Sequence, residues 1–297
     1  MSDGRAQPSD SAAAGGPVGV IDSGVGGLSV LRHLRAELPA ETFLYVADQA
    51  HIPYGPRPAE QVFAFTAAIT RFLLARRAKL IVVACNTATT AALDRLRQTF
   101  PDLPFVGMEP AVKPAAAQTR SGVVGVLATP GTLSSHRYAS LMARYAGDIE
   151  VLEDPCLGLV QLIEAGATQA AETRDLLQRV VVPMLAAGAD TLVLGCTHYP
   201  FIRPLLDDIA GPNVTIIDPA PAVARQTRNV LQQRDQLAPA TRAGSLCCYT
   251  TGDAARMAAL TADLLGVQCR VRAVRWTNNE VIANTREEAT DYADFTD

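Results

Sequence analysis

No pair of cysteines in this 297-residue chain has the C-x-x-C spacing, although six are present, at 85, 156, 196, 247, 248 and 269. With no such pair and no secretion signal, the pattern argues against a zinc ribbon or a disulfide framework and for reduced thiols in the cytoplasm. An excess of positive charge is also lacking. The net charge is −4 and the arginines are scattered among acids, so no global basic field calls for nucleic acid. No apolar run approaches the length of a membrane span, so no membrane association is expected. The stretch "GVGGLS" lacks a phosphate-binding lysine and does not complete G-x-G-x-x-G, which leaves nucleotide binding weakly supported. His33, His51 and His136 show no ligand spacing, and no metal site is expected. The opening "MSDGRAQPSDSAAAGG" has neither the basic start nor the apolar stretch of a signal peptide. Residues 1–16 therefore read as a disordered tail, and the acidic stretch 278–297 as a second one.

What is present is enough apolar sequence, 48%, for one large or two medium cores. Short β-rich runs alternate with longer helical patterns. Strands are expected at 18–21, 42–46, 80–84, 105–107, 123–127, 150–152, 191–194, 214–217 and 270–275. Helices are expected at 28–37, 58–76, 89–99, 132–145, 157–165, 173–187, 220–233 and 254–265. Such alternation predicts an α/β fold, and the continuous apolar strands predict largely parallel sheets buried on both faces.

An internal repeat refines this. "AKLIVVACNTATTAAL" (78–93) resembles "ADTLVLGCTHYPFIRPLL" (189–206), with Cys85 falling on Cys196 at an offset of 111. "VGVIDSGVGGLS" (18–29) resembles "VGVLATPGTLSS" (124–135) at an offset of 106. Two related half-units explain both matches. Ligands of open parallel sheets bind beyond the carboxyl ends of the strands, and both cysteines fall there. If the halves face each other, two thiols flank one cleft. Moving a proton off one face of a carbon and returning one to the other needs two such groups. Cysteine suits the task, with an unperturbed pKa of about 8.5 within tuning range of neutrality. Asp22 ends the first strand and is expected near Cys85. His198 is local to Cys196, and an adjacent base is a mark of an activated thiol. Asn86, Thr87 and Thr197 set amide and hydroxyl groups beside the thiols. Backbone N–H groups after Ser23 and Thr129 offer further anion contacts.

In order and approximate spacing, "IDSGVGGLSVLR", "IPYG", "ACNTAT", "GCTHYPFI" and "IDPA" resemble the bacterial glutamate racemases of the Asp/Glu racemase superfamily, over about residues 18–275. The resemblance implies two pseudo-symmetric three-layer α/β domains with the active site in the cleft between them. The first, 17–117 and 214–277, is discontinuous; the second spans 118–213. It implies interconversion of L- and D-glutamate without a cofactor, with the D-glutamate supplied to peptidoglycan. Cys85 would be the base toward D-glutamate and Cys196 the base toward L-glutamate, assisted by Asp22 and His198 respectively. Glu164, in "LVQLIEAG", matches a family acid near the second thiol. Asp22, Ser23, Tyr54, Gly55, Asn86, Thr87, Thr197 and His198 would hold the substrate. Where the family usually reads Cys-Pro ahead of this acid, Cys156 is followed by Leu157. The resemblance also implies a homodimer. Some family members inhibit DNA gyrase, but no residue here shows a surface for it.

Other readings compete with these. Asp22-Ser23 could cap the helix at Leu28, Tyr54 could mark only a turn, and Thr87 and Thr197 could cap helices. An aspartate racemase or a maleate isomerase would share the two-cysteine design. A nucleotide-binding regulatory protein is the rival of a different class. Cys156, Cys247, Cys248 and Cys269 read as strand or core material.

Overall fold

The computed structural model describes residues 15–283. Residues 1–14 and 284–297 of the expected tails lie outside that range. The chain first lays down β1 (Val18–Asp22), α1 (Leu28–Glu37), β2 (Phe43–Ala47), α2 (Ala59–Leu74), β3 (Leu80–Val83), α3 (Asn86–Thr99) and β4 (Phe105–Gly107). After α4 (Val112–Gln118) come β5 (Val123–Ala128), α5 (Pro130–Leu133), α6 (His136–Tyr145), β6 (Glu150–Asp154), α7 (Leu159–Glu164), α8 (Ala171–Ala186), β7 (Thr191–Gly195), α9 (Arg203–Ala210) and β8 (Thr215–Ile217). The chain returns through α10 (Ala220–Gln233) to β9 (Leu246–Thr250), α11 (Ala254–Leu265), β10 (Arg270–Thr277) and β11 (Glu280–Ala283). Among the described residues no helix is long and apolar enough to cross a membrane.

Two sheets result. One has seven strands in the order β11-β10-β9-β2-β1-β3-β4, and the other four in the order β6-β5-β7-β8. All pairings are parallel except β10 with β11. Successive residues of a strand feed opposite faces, as the pleat requires. Leu80 and Val82 join α1, α10 and α11 in one core, while Ile81 and Val83 join α2 and α3 in another. Likewise Leu192 and Leu194 pack against α7, α8 and α9, while Val193 packs on the side of α4 and α6. Each sheet is thus the middle of three layers, and the continuous apolar runs follow from burial on both faces.

The repeat is visible in the strand ladders. The order β2-β1-β3-β4 in one sheet matches β6-β5-β7-β8 in the other. Val18 pairs with Leu80, and Val124 pairs with Thr191. These pairings keep the two sequence offsets of 106 and 111, so Cys85 and Cys196 leave equivalent strands at equivalent heights.

Several expectations need correction. The expected crossing points, 117–118 and 214, both shift. Val112 and Ala115 of α4 pack with Val124 and Val193 on the second sheet, and Thr215–Ile217 pairs with β7. The return to the first sheet therefore follows Ile217. The expected helix 132–145 is two pieces, because Ser135 interrupts it and caps α6 by accepting from Tyr138 N–H at 3.1 Å. The expected tail from 278 begins instead as a hairpin. Asn278 and Asn279 both take positive φ, 49° and 64°. Asparagine tolerates the left-handed region that a tight two-residue hairpin turn demands. β9, α4 and α9 were not expected as elements, although Cys247 and Cys248 do lie in a buried strand.

Leu192 is fully buried at the centre of the smaller sheet. Leu192→Ala is expected to lower unfolding free energy by roughly 2–5 kcal/mol through the lost transfer energy and the cavity. Val182→Ala, on an exposed helix position, should stay within about 0.5 kcal/mol. Urea denaturation of both variants checks the contrast.

Candidate active site

β3 and β7 end where their sheets face one another, and one cavity lies between those ends. Ser23, Tyr54, Gly55, Cys85, Asn86 and Thr87 line it from the first sheet, and Thr129, Cys196, Thr197 and His198 from the second. Pro53 and Val160 complete the wall. The space between these residues, part of it open to solvent, is about 280 Å³. Both thiols are buried, free, and border this single space.

Cys85 is the N-cap of α3, and its sulfur accepts from Ala88 N–H at 3.5 Å. Its Sγ lies 3.8 Å from Ser23 Oγ. Burial, reinforced by the negative charge of Asp22, pushes this thiol up to about 12. Cys85 is therefore a proton donor at rest.

The second thiol has different neighbours. His198 Nδ1 lies 3.7 Å from Cys196 Sγ, and its Nε2 lies 2.7 Å from Glu164 Oε1. Glu164 belongs to the second half, yet Val25 N–H of the first half donates to the same oxygen at 2.7 Å. Burial pushes the Glu164 carboxyl up, but the bonds from His198, Val25 and Gln49 outweigh it and the net direction is down. Burial opposes a charge on His198, but its hydrogen bonds to Cys196 and Glu164 prevail and push its titration well above the ordinary histidine range. Glu164 is thus a carboxylate facing an imidazolium. His198 is placed to exchange a proton with Cys196.

The glycine loop has a packing role. A Cβ on Gly24 would stand 2.0 Å from Glu164 Oε1, and one on Gly26 would stand 2.4 Å from His198 Nδ1. "GVGG" is therefore the surface on which the His198–Glu164 pair rests, with no room for a phosphate. The halves meet again where Ser29 Oγ donates to Thr197 O at 2.8 Å. At the opposite wall, Thr87 Oγ1 and Thr129 Oγ1 are 2.8 Å apart. Both polar atoms of the Asn86 amide are buried without a hydrogen-bond partner. Idle ends of this kind suit the ammonium or carboxylate of a bound ligand.

Of the residues singled out from sequence, all except Asp22 and Glu164 line the cavity. Asp22 stands behind the wall. It accepts from Gly24 N–H at 2.9 Å and from Thr197 Oγ1 at 3.2 Å, and it makes no hydrogen bond to Cys85. Its carboxyl is raised, first by burial, against the pull of His198. Asp22 and Ser23 do not cap α1, whose N-cap is Gly27 with no side-chain bond. Tyr54 is buried, and its hydroxyl donates to Asp48 Oδ2 at 2.7 Å, so it is more than a turn marker. Pro53, Val160, Val25 N–H and Gln49 escaped notice as site residues. Thr129 carried a signal: at the offset of 106 it is the repeat partner of Ser23. Among the described residues no group of three or more metal-ligating side chains is assembled.

Four likenesses bear on this geometry. The pattern of the Asp/Glu/Hydantoin racemase family matches residues 18–227. The chain is 56% identical over 255 residues to the glutamate racemase of Ectopseudomonas mendocina, across 86% of this chain and 97% of that protein. The glutamate racemase of Francisella tularensis in complex with D-glutamate superposes with a TM-score of 0.77 at 28% identity, over 88% of this chain and 98% of that one. The Escherichia coli glutamate racemase in complex with L-glutamate and the activator UDP-MurNAc-Ala gives 0.77 at 31% identity, over 90% and 100%.

His198 is expected to stay an imidazolium through neutral pH. Its contribution to stability is full below the unfolded value of about 6.5 and is lost as pH rises through the higher folded value. Glu164→Gln removes the anionic partner and should move the His198 titration downward. Ring-proton NMR against pH measures this, and an unmoved titration would contradict the pairing.

Proposed function

As the chain belongs to the Asp/Glu/Hydantoin racemase family, we propose that it is a glutamate racemase that passes the Cα proton of L- and D-glutamate between two thiols. The observation that carries this reading is the pair of cysteines at equivalent ends of equivalent strands, bordering one cavity. From L-glutamate, Cys196 takes the Cα proton on one face, and Cys85 then delivers its own on the other. From D-glutamate the roles reverse. The product leaves the two sulfurs in exchanged protonation states, and His198 and solvent restore them.

The surrounding groups support the chemistry. Removing a Cα proton builds negative charge toward the substrate carboxylate. Donors fixed beforehand stabilise such charge without reorganising. The Asn86 amide and the Thr87 and Thr197 hydroxyls are available for this, with Ser23, Tyr54 and Gly55 shaping the rest of the wall. Asp22 acts at one remove, by orienting Thr197 and the loop at Gly24. Identity to glutamate racemases along most of the chain favours glutamate over aspartate or maleate. The glycine loop, packed against Glu164 and His198, disfavours the nucleotide-binding rival. The D-glutamate so formed would serve peptidoglycan synthesis. The homodimer rests on family resemblance alone, and sedimentation velocity tests it.

Circular dichroism of L- or D-glutamate solutions, without added pyridoxal phosphate, should show both converge on the racemate. Cys85→Ser and Cys196→Ser should each lower turnover by about 10²–10⁴-fold, the range of one general acid–base group, and leave the fold intact. Near-normal racemisation by either variant contradicts the two-thiol scheme. Faster conversion of aspartate in a substrate panel contradicts the choice of glutamate.

A further inference from the structure

The Glu164 carboxylate has a third hydrogen-bond partner that neither the repeat nor the family motifs single out. Gln49 lies in the short turn Gln49–His51 after β2, and its Nε2 donates to Glu164 Oε2 at 3.2 Å. The orientation of its amide is settled by the carboxylate, which only accepts, so Nε2 must face Glu164 and Oε1 turns to Thr250. Thr250 Oγ1 accepts from Gly252 N–H at 3.0 Å and donates to Gln49 Oε1 at 2.8 Å. Gly252 makes room for this arrangement, since a Cβ there would stand 2.9 Å from both Gln49 Cβ and Gln49 Oε1. A directed chain runs from β9 through Thr250, Gln49, Glu164 and His198 to Cys196. It crosses the cleft at Gln49–Glu164.

We propose that Gln49 is a positioning residue: its amide holds the Glu164 carboxylate across the cleft, and through Glu164 it governs the proton that His198 offers to Cys196. The inference rests on the racemase reading above and assigns Gln49 to one of the two thiols only. Cys85 has no such chain, and its neighbours are Ser23 and the Ala88 amide. The other charged and titratable groups around the Glu164–His198 pair are Cys196 on its own half, and Asp22 and Tyr45 from the first sheet. Arg256 of α11 bonds the Glu164 carbonyl at 2.9 Å. None of these replaces the donor that Gln49 supplies to Oε2. Without it, the Glu164 carboxylate is free to turn away from His198, and its hold on the imidazolium proton weakens.

The test uses Gln49→Leu, which keeps the bulk and removes the donor, and Gln49→Glu, which sets a second carboxylate against Glu164. Two readouts are followed. In the first, His198 is titrated by NMR in the unliganded protein. Its titration should fall in Gln49→Leu, whereas an unshifted titration overturns the proposal. In the second, primary isotope effects are measured with Cα-deuterated substrates. Slowing the Cys196 step should raise the effect for deuterated L-glutamate and lower it for deuterated D-glutamate, with about a tenfold loss of kcat, the scale of one hydrogen bond to a charged group. Equal changes for both enantiomers indicate a merely structural role and overturn it. Gln49→Glu should lose more activity than Gln49→Leu and recover as pH falls enough to protonate one carboxylate; no recovery counts against the proposal. A shifted His198 titration in a protein that does not racemise glutamate would sink the function and leave the Gln49 assignment standing.

Discussion

The carboxylate of Glu164 is where the two halves of the chain become one site. It receives Val25 N–H and the Gln49 amide from the first half and His198 from its own. Three donors on one largely buried carboxylate overcome the cost of desolvating it, which an isolated buried charge could not. Cys196 and Glu164 together raise the proton affinity of His198, and the glycine loop is bare because Glu164 and His198 press on it. Removing that anion would leave the imidazolium with Cys196 alone, Gly24 without its closest neighbour, and Val25 and Gln49 without their link to the second half.

Around that link the fold is nearly two-fold symmetric, but the chemistry is not. Corresponding strands carry Cys85 and Cys196, followed by Asn86-Thr87 on one side and Thr197-His198 on the other. The repeat thus sets two sulfurs facing one space, as a reaction that inverts a carbon centre needs. The departures give the sulfurs different surroundings. Thr87 meets the Thr129 hydroxyl, whereas its counterpart His198 meets a carboxylate. Asp22 has Ala128 as its counterpart, so one half alone carries the buried acid. Two thiols that play opposite parts in each turnover are served by unlike neighbours.

Features with a local or repeated signature were legible in the sequence. β3 and β7 read as strands because each is a continuous apolar run ending in a small residue and a cysteine, and the offset between them reproduces the ladder register. Cys85, Cys196, Asn86, Thr87, Thr197 and His198 all follow from that alignment. Contacts made across the cleft were not legible. Gln49 sits in a polar turn with no pattern of its own, and its partner is 115 positions away. Asp22 was expected beside Cys85 because their strands are neighbours, but its side chain turns to Thr197 instead. β9 escaped because Leu-Cys-Cys-Tyr-Thr is short and three of its five residues are cysteine or threonine, and α9 because Pro204 in its first turn reads as a breaker although it is tolerated there. β8 was recognised but assigned to the wrong sheet, since a three-residue strand carries no sign of its partner.

The central claim is that two sulfurs hold one stereocentre between them and that each exchanges its proton with solvent separately. Early conversion of L-glutamate in D₂O tests it most directly, with Cα deuterium measured in each enantiomer by chiral separation and mass spectrometry. The account predicts that the D-glutamate formed carries deuterium at Cα from the start while the remaining L-glutamate keeps its hydrogen. D-glutamate that retains the original hydrogen would mean that a single group carries the proton across, which contradicts it.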